Sequence, residues 1–414
     1  MGVDKLKIAV IGGGAAGLMA AVAAAEEGAG VTILERNPKV GRKILATGNG
    51  RCNYTNTESG ITRFHGKDPR FALGALKRFD NQRTIGFFEN LGIVPRVEER
   101  GKVFPRSGQA SSVLDVLRFE LERLGAATIC DCEVTALDKD RDGFVLRTAA
   151  GREYTSEKVI IAAGGRASPN LGSNGSGFTL AEELGHTLIE PFPALVQVKL
   201  RAGFLKQTAG IKFNGTAAVE AEGKVLARDR GEILFTTYGV SGPPVLQVSR
   251  RVWECLRQGI TPFMTLNLVD DMTREELEAF LTMRLAAMPS RPLDLSFVGF
   301  INKQLAPVLL KEAGIEDIRK PAGQVTAAER SRIADLLQNW RLEITATLPW
   351  SQAQVTAGGI ATGEIDPRTM ESRLVPGLFF AGEVIDIDGD SGGFNLQWAW
   401  ASGWIAGKSV SRSS

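Results

Sequence analysis

The chain is poor in the residues that many enzymes use for acid–base, nucleophilic and metal chemistry. Its 414 residues include only two histidines, His65 and His186, and four cysteines. With so few imidazoles, a histidine-based triad and a histidine-rich metal site are both disfavoured. Cys130-x-Cys132 is not C-x-x-C and has no second pair, which argues against zinc. If the chain is an enzyme, a bound cofactor is expected to supply its chemistry.

Charge imbalance and long apolar runs are also missing. The sequence has 49 basic and 47 acidic residues, a net charge of +2, so no nucleic-acid partner is expected. No stretch reaches the roughly 18 consecutive apolar residues of a membrane span. Three glycines interrupt the apolar start of the chain, unlike a secretory signal peptide. We therefore expect a cytoplasmic protein with free thiols.

Glycine, in contrast, is abundant, with 47 residues, and its first cluster forms the clearest motif. The segment KIAVIGGGAAGLMAAVAAAEEGAGVTILE is typical of a strand, a glycine-rich turn, a helix and a second strand. Gly12, Gly14 and Gly17 form G-x-G-x-x-G. The first glycine allows a tight turn, the second lets a diphosphate approach the backbone, and the third lets the helix pack on the strand.

The ends of this unit carry the other groups that a dinucleotide needs. The helix would begin near Ala15 and Ala16, and its first N–H groups would face the phosphates. Glu35 follows the second strand and is expected to accept hydrogen bonds from a ribose diol. The sequence therefore predicts a bound ADP-type cofactor.

The chain divides into three kinds of segment by composition and periodicity. Residues 1–189 and 351–414 predict an α/β cofactor-binding domain. Residues 190–258 and 341–350 predict a mainly β module, and residues 259–340 a helical module. These boundaries define a domain assembled from both ends of the chain, with two inserted modules.

Local signals place several elements within these segments. Capping boxes at Thr273–Glu276 and Thr326–Glu329 predict two helix starts. A helix-like stretch covers 70–91, and a strand-like run covers 128–138. Within that run, Glu133 and Val134 are expected to end the strand.

Five further blocks make the resemblance to a known family specific. They are GRKILATGNGRCN (41–53), VIIAAGG (159–165), GEILFTTYGVSGPPVLQVSR (231–250), VTAGGI (355–360) and GLFFAGEVIDIDGDSGGFNLQWAWASG (377–403). With the opening turn, they resemble the BaiN/RdsA-type family of NAD(P)/FAD-dependent oxidoreductases, the aminoacetone-oxidase-like flavoproteins. The match runs essentially end to end. It implies an α/β fold: a glutathione-reductase-like FAD-binding Rossmann domain with an inserted β-barrel-like module and a small helical module.

The resemblance also implies an activity. It implies non-covalent FAD and an oxidoreductase that acts on a small organic substrate through the flavin ring. Electrons would come from NAD(P)H for reduction of a C=C bond, or would pass to oxygen in amine oxidation. The chain has no second G-x-G-x-x-G, so NAD(P)H is expected only as a transient reductant. A non-catalytic redox sensor and a flavin-dependent RNA-modifying protein are the alternatives, the latter disfavoured by the near-neutral charge.

The resemblance and the glycine turn together give a set of expected cofactor-binding residues. They are Gly12, Gly14, Ala15, Ala16, Gly17, Glu35, Arg36, Arg42, Lys43, Thr47, Gly48, Asn49, Arg51, Asn53, Val134, Ala163, Gly164, Gly165, Gly382, Glu383, Gly393, Phe394, Asn395, Leu396 and Gln397. Glu383 would accept from the ribityl hydroxyls, and the helix starting at 393–397 would face the flavin N1–C2=O edge.

Three basic residues and Val134 have two interpretations each. Arg36 either lies over the adenine or is solvated at the strand end. Arg42 or Lys43 faces the diphosphate or the flavin carbonyls, unless both are solvated. The backbone of Val134 either pairs with adenine or belongs to an ordinary strand.

Three residues are candidates for chemistry near the flavin: Asn49, Cys52 and Tyr238. The family has Thr-His-x-Gly in its inserted signature, whereas this chain has Thr236-Thr237-Tyr238-Gly239. The acid–base role of that histidine is therefore not carried over, and Tyr238 or a water would take it. Because no C-x-x-C accompanies Cys52, a packed thiol is favoured over a reactive one.

Overall fold

The computed structural model describes residues 6–58 and 60–412. These residues form two compact units: the second is Pro193–Ala353, and the first contains the described residues up to Phe192 and from Gln354 onward. In chain order, the strands are β1 (Lys7–Ile11), β2 (Gly30–Leu34), β3 (Thr55–Asn56), β4 (Phe64–His65), β5 (Pro95–Val97), β6 (Lys102–Pro105), β7 (Ala127–Ile129), β8 (Val134–Lys139), β9 (Phe144–Thr148), β10 (Glu153–Ser156), β11 (Lys158–Ile161), β12 (Leu188–Ala194), β13 (Val198–Arg201), β14 (Lys212–Ala221), β15 (Lys224–Phe235), β16 (Gly239–Ser241), β17 (Phe263–Asn267), β18 (Trp340–Thr347), β19 (Val355–Ile360), β20 (Leu378–Phe380) and β21 (Asp388–Gly389).

The α-helices are interspersed among these strands. In chain order they are α1 (Ala15–Glu26), α2 (Arg42–Ala46), α3 (Ala72–Arg78), α4 (Asn81–Asn90), α5 (Ala110–Arg123), α6 (Ser176–Glu183), α7 (Leu205–Thr208), α8 (Pro243–Arg257), α9 (Arg274–Ala287), α10 (Ala306–Glu312), α11 (Ala327–Gln338) and α12 (Phe394–Val410). None of the helices in the described parts of the chain has the length and apolar character needed to cross a membrane.

A five-stranded sheet forms the centre of the first unit, in the order β20-β11-β1-β2-β7. Every adjacent pair in it is parallel. Strands β1, β11 and β20 are almost entirely buried runs of apolar residues, as expected for a parallel sheet covered on both faces. Because β20 comes from the C-terminal part, the sheet joins both ends of the chain. This is the FAD-binding Rossmann architecture that the sequence predicts.

Helices α1 and α12 pack against each other through small residues. A Cβ added at Gly403 would lie 2.4 Å from the carbonyl oxygen of Ala16, and one at Gly407 would lie 2.3 Å from that of Ala20. The alanine-rich sequence of α1 therefore serves a helix contact, and ten of its residues are buried. This contact fixes the C-terminal helix beside the glycine-rich turn.

The second unit contains a closed barrel with the strand order β13-β16-β15-β14-β17-β18. Glu222 and Gly223 both have positive φ in the turn that joins β14 to β15. Strand β17 lies within the 259–340 segment, yet it pairs with β14 and β18 of the barrel. Both predicted capping boxes are confirmed, at Thr273 with Glu276 and at Thr326 with Glu329.

Two predicted elements are interrupted. The helix-like stretch 70–91 is two helices, because the Asp80 side chain accepts from the backbone N–H of Arg83 and caps a new start. The strand-like run 128–138 breaks at Asp131, whose φ is 51°. Strand β8 consequently begins at Val134, and the prediction that Val134 ends a strand is wrong.

Candidate functional site

The glycine-rich turn of the first unit has the geometry that its sequence predicts. Gly12 has a φ of +105°, and a Cβ there would lie 2.6 Å from the carbonyl oxygen of Ala162. A Cβ at Gly17 would lie 1.9 Å from the carbonyl oxygen of Gly12. A side chain at Gly12 would force the turn away from the residues after β11, and a side chain at Gly17 would force α1 away from the turn.

Gly14 differs from its neighbours because its surroundings are open. An added Cβ would meet no atom within 4 Å, and no side chain caps the helix that starts after it. The first N–H groups of α1, on Ala15, Ala16 and Gly17, belong to a helix end of positive partial charge. An uncapped helix start facing free space fits the diphosphate of a dinucleotide.

Glu35 is buried and its carboxylate is tied to the same turn. Its Oε2 accepts from the backbone N–H of Gly13 at 2.7 Å. Its Oε1 accepts from the backbone N–H of Asn37 at 2.8 Å and from the Asn37 amide at 2.6 Å. A carboxylate offers about four acceptor positions, so capacity remains for the predicted ribose contact, which stays a prediction.

Arg36 and Val134, expected near the adenine, and Arg42, expected near the diphosphate or the flavin carbonyls, are held mostly by the protein itself. The Arg36 guanidinium lies 3.5 Å from the carbonyl oxygen of Gly172 and 3.7 Å from the Glu133 carboxylate. Arg42 donates to the Asn37 side-chain oxygen at 2.9 Å. Val134 is buried at the start of β8.

The segment Ala163, Gly164 and Gly165 begins two residues after the end of β11. A Cβ at Gly165 would lie 2.2 Å from the Thr356 hydroxyl oxygen. That hydroxyl accepts from the backbone N–H groups of Arg166 and Ala167, at 2.8 and 2.9 Å. Gly165 is therefore required for the close approach of this turn to β19.

The TGNGRCN loop has an unusual backbone. Gly48 and Asn49 are left-handed, with φ of 56° each, and Cys52 has a φ of 59°. Left-handed conformations of residues other than glycine cost free energy and cluster at functional sites. Asn49 is exposed on this loop.

The flanks of the loop are fixed by side-chain contacts. The Thr47 hydroxyl donates to the carbonyl oxygen of Ile44 at 2.7 Å. Arg51 pairs with Glu98 at 3.0 Å and lies 4.1 Å from the centre of the Phe104 ring. These contacts hold the Arg51 side chain against the protein, and its expected contact with a cofactor stays a prediction.

Cys52 does not suit the catalytic role considered for it. Its side chain is completely buried, and burial raises the pKa of the thiol to about 12, although a hydrogen bond with Thr47 opposes the change. At neutral pH the thiol is therefore protonated and inaccessible, as in a packed core cysteine. Tyr238 lies in the second unit, half-buried between β15 and β16, and its proposed role stays a prediction.

The start of α12 lies next to the TGNGRCN loop and β3. Gly393 precedes the helix with a φ of +100°, and no side chain caps the helix. A Cβ at Gly393 would lie 2.5 Å from the carbonyl oxygen of Thr55 and 3.0 Å from the Asn53 side-chain oxygen. Two blocks more than 300 positions apart thus meet at a second uncapped helix start.

The side chains in the first turn of α12 bond or pack within the protein, so the expected contact of this helix start with a flavin stays a prediction for its backbone N–H groups. Gln397 is 3% exposed and donates to the carbonyl oxygen of Phe79 at 2.8 Å. Its oxygen accepts from the hydroxyls of Thr55 and Thr84, at 2.6 and 2.9 Å. The Gln397 side chain is thus buried and bonded to three residues of the core.

The three residues before Gln397 also contact the protein: Asn395 through hydrogen bonds, and Phe394 and Leu396 through apolar packing. Asn395 bonds both the N–H and the carbonyl of Gly389, at 2.8 and 2.7 Å. The Phe394 ring meets the Phe64 ring edge-on at 6.0 Å, and Leu396 is half-buried against the core. A contribution of 393–397 to a cofactor would come from the backbone.

Gly382 and Glu383 lie beside the first turn of α1. Gly382 has a φ of +78°, and its Cβ would lie 2.6 Å from the Cβ of Ala16. Its N–H donates to the Ser402 hydroxyl and its carbonyl accepts from Trp398. Gly382 therefore serves close packing. Glu383 accepts from the backbone N–H of Thr356 at 2.6 Å and pairs with Lys43 at 2.8 Å.

Sequence reasoning missed the residues that join these blocks. Asn56 donates to the carbonyl oxygens of Gly392 and Arg100, at 2.8 and 3.0 Å. His65 hydrogen-bonds Asp390 at 2.7 Å. The Tyr54 hydroxyl is buried with no hydrogen-bond partner among the described residues. No local pattern marks the contacts of Asn56 and His65, because their partners lie far away in sequence.

Comparisons with known proteins agree with this geometry. The family model described as HI0933-like protein Rossmann domain matches residues 6–409. A 3-dehydro-bile acid delta(4,6)-reductase of Clostridium scindens is 40% identical over 406 residues, 98% of each chain. A ribosomal RNA dihydrouridine synthase of Escherichia coli is 32% identical over 410 residues, also 98% of each chain.

A similar fold also occurs among solved structures. A 3-ketosteroid delta1-dehydrogenase from Sterolibacterium denitrificans superposes with a TM-score of 0.51 and covers 100% of both chains. Its sequence identity is 12%, so the likeness concerns the fold alone.

Proposed function

The chain belongs to the HI0933-like Rossmann family, and on that premise we propose that it reduces a C=C bond conjugated to a carbonyl group in a steroid-like acid. The observation that carries this proposal is the 40% identity, over 98% of both chains, to a bile acid reductase. The assignment of the chain as an FAD-dependent oxidoreductase does not depend on which substrate it reduces.

The residues of the first unit fit FAD. The open space at Gly14, the close packing at Gly12 and Gly17, and the uncapped start of α1 suit the diphosphate. The uncapped start of α12 can stabilise negative charge on a flavin edge by about 0.3–2 kcal/mol. Bound FAD would supply two-electron transfer to the substrate.

The chain itself must orient the substrate and supply or conduct a proton. Addition of two hydrogens across a C=C bond requires one hydride equivalent, which carries both electrons, and one proton. Cys52 cannot readily supply it, since its thiol is buried with a raised pKa. Tyr238 or water remains our proposal for that role. We propose NADH or NADPH as the electron donor.

A transient-kinetic experiment tests the proposal. Purified holoprotein is mixed anaerobically with NADH or NADPH, and loss of the visible flavin absorbance is followed. The reduced protein is then mixed with a 3-oxo-Δ4,6 bile acid, with a saturated analogue, or with oxygenated buffer. Rapid reoxidation by the unsaturated acid, with a product two hydrogens heavier by mass spectrometry, supports the proposal. Reoxidation by oxygen alone contradicts it.

RNA reduction is a second candidate function. The relatives at 32% and 31% identity are ribosomal RNA dihydrouridine synthases, and formation of dihydrouridine also adds two hydrogens to a C=C bond. RNA reduction is the second candidate because these relatives share less sequence identity with the chain than the bile acid reductase does. Unmodified ribosomal RNA is incubated with the reduced protein and digested to nucleosides. Dihydrouridine formation, together with no reaction of the bile acid, would favour RNA as the substrate.

A further inference from the structure

An ion pair in the first unit links two of the expected cofactor-binding blocks. The Lys43 ammonium lies 2.8 Å from Oε2 of Glu383, and both side chains are about a quarter exposed. The other carboxylate oxygen, Oε1, accepts from the backbone N–H of Thr356 at 2.6 Å. Glu383 is therefore fixed by β19 and in turn fixes the ammonium.

The pair lies beside the first turn of α1. On one side, the backbone N–H of Gly41 donates to the carbonyl oxygen of Gly13 at 2.8 Å, and Lys43 follows in the same short helix. On the other side, Gly382 approaches Ala16 so closely that a Cβ would lie 2.6 Å from the alanine Cβ. The segments that carry Lys43 and Glu383 thus contact Gly13 and Ala16, the residues on either side of Gly14 and Ala15.

Other basic residues expected at the site are held elsewhere. Arg42 bonds Asn37, Arg36 lies between Gly172 and Glu133, and Arg51 pairs with Glu98. None of these partners is a chain neighbour of Gly382, the residue that closely approaches Ala16 in the first turn of α1. The partner of Lys43, Glu383, directly follows Gly382 in the chain.

We propose that Lys43 neutralises the diphosphate of the bound cofactor and that Glu383 is a positioning residue, which holds the ammonium near the start of α1. This inference rests on the proposed use of FAD. A restrained ammonium loses less conformational entropy on binding than a free lysine side chain. It also adds a full charge to the partial charge of the helix start. The main task of Glu383 is then to hold Lys43, with the ribityl contact secondary.

Binding to the apoprotein tests the role of Lys43 without any turnover. FAD and ADP are titrated by calorimetry into the parent and into Lys43→Met, Lys43→Arg and Lys39→Met. ADP carries the diphosphate without the flavin. We expect Lys43→Met to raise the dissociation constants of FAD and ADP by the same factor, about tenfold or more. It should also reduce the salt dependence of both dissociation constants. Lys43→Arg should recover most of the affinity, and the exposed Lys39 should be neutral.

The role of Glu383 is tested by a double-variant cycle. Glu383→Gln keeps an acceptor for the Thr356 N–H but removes the charge that holds Lys43. We expect Glu383→Gln to weaken the binding of FAD and ADP less than Lys43→Met does. Combined with Lys43→Met, it should cause little further loss of affinity. Thermal unfolding of each apoprotein checks that the variants fold.

The outcomes separate this inference from the proposed function. If Lys43→Met weakens FAD but leaves ADP unchanged, the ammonium contacts the flavin half and our assignment is overturned. If the two variants have additive effects, Glu383 acts on the cofactor directly and is not a positioning residue. If the parent binds FAD and all variants match it, this inference fails while the proposed function stands. If the parent binds neither FAD nor ADP, this inference and the proposed function both fail.

Discussion

The side-chain amide of Asn56 donates a 2.8 Å hydrogen bond to the carbonyl oxygen of Gly392, 336 positions later in the chain. The adjacent hydroxyl of Thr55 donates to Gln397 at 2.6 Å. These bonds fasten the strand that follows the TGNGRCN loop to the start of α12. Two blocks that the sequence singles out separately are therefore one local structure, and a change in either is expected to reach the other.

We expect the purified protein to be yellow and to release non-covalent FAD on acid or heat treatment. The reason is the open, uncapped start of α1 beside Gly14 and Glu35, which suits the ADP half of the cofactor. Chromatography of the released flavin checks this expectation. Colourless protein that cannot be reconstituted contradicts it, and so does protein that retains FMN, which lacks the ADP half.

Gly14→Val is expected to abolish retention of FAD without unfolding the protein. Gly14 has φ −82° and ψ −172°, an extended conformation that valine adopts readily, and its Cβ would meet no protein atom. The new side chain would instead occupy the space needed by the diphosphate. Flavin content per folded protein is the measurement.

Gly203→Val is the matched control for this variant. Gly203 is exposed in the second unit, and a Cβ there also meets no atom within 4 Å. The control should keep parental flavin content. Equal occupancy in Gly14→Val and Gly203→Val would show that the phosphates lie elsewhere.

The glycine-rich turn and the helix starts could be predicted from sequence because their causes are local. Gly12 and Gly17 lie at positions where a side chain would collide with backbone, and Thr273 and Thr326 cap helices three residues before a glutamate. The motif spacing reports these constraints directly.

Other features could not be read from the sequence. Gln397 belongs to the expected cofactor-binding set, yet three long-range partners bond its side chain inside the core. The pair of Lys43 and Glu383 spans 340 positions. Asp131 breaks a run that alternation favours as one strand, through a single left-handed residue. Each case depends on tertiary contacts that local patterns do not contain.

Asn49 is expected to influence the flavin rather than hold it. Because the residue is left-handed, with φ 56°, Asn49→Ala would add backbone strain of about 1–2 kcal/mol. Asn49→Gly is therefore the cleaner variant, since glycine tolerates this conformation. Loss of one hydrogen bond, about 0.5–1.5 kcal/mol, should shift the two-electron potential by roughly 10–30 mV.

Redox titration and substrate-dependent reoxidation check the Asn49 prediction. FAD content should stay near that of the parent. If Asn49→Gly matches the parent in potential and in reoxidation rate, the loop is a structural turn. A shift found in Asn49→Ala but not in Asn49→Gly would point to backbone strain.

His186 is expected to make the stability of the protein depend on pH. Its Nδ1 lies 3.1 Å from the Glu364 carboxylate and its Nε2 lies 2.8 Å from the Ser372 hydroxyl. That hydroxyl also accepts from the N–H groups of Leu374 and Val375, so its proton is directed to Nε2. Burial lowers the pKa of His186, although Glu364 opposes the shift.

The sign of the pH effect follows from this lowered pKa. Below the unfolded value of about 6.5, the unfolded chain binds a proton that the folded protein resists. Stability from His186 is therefore complete above about pH 6.5 and is lost as the pH falls toward the folded pKa. The slope is at most about 1.4 kcal/mol per pH unit for one proton. The pKa of Glu364 is lowered from 4.5, so its own contribution is lost only at more acidic pH.

Denaturant unfolding between about pH 5 and pH 7.5 measures this effect. The free energy of unfolding of the parent should fall toward pH 5. His186→Gln should have a lower free energy of unfolding at neutral pH, and this free energy should change less with pH than that of the parent. His65→Gln, which removes the other histidine of the chain, is the control. If His65→Gln removes the slope and His186→Gln keeps it, then the buried contact of His186 with Glu364 and Ser372 is not the source of the acid sensitivity.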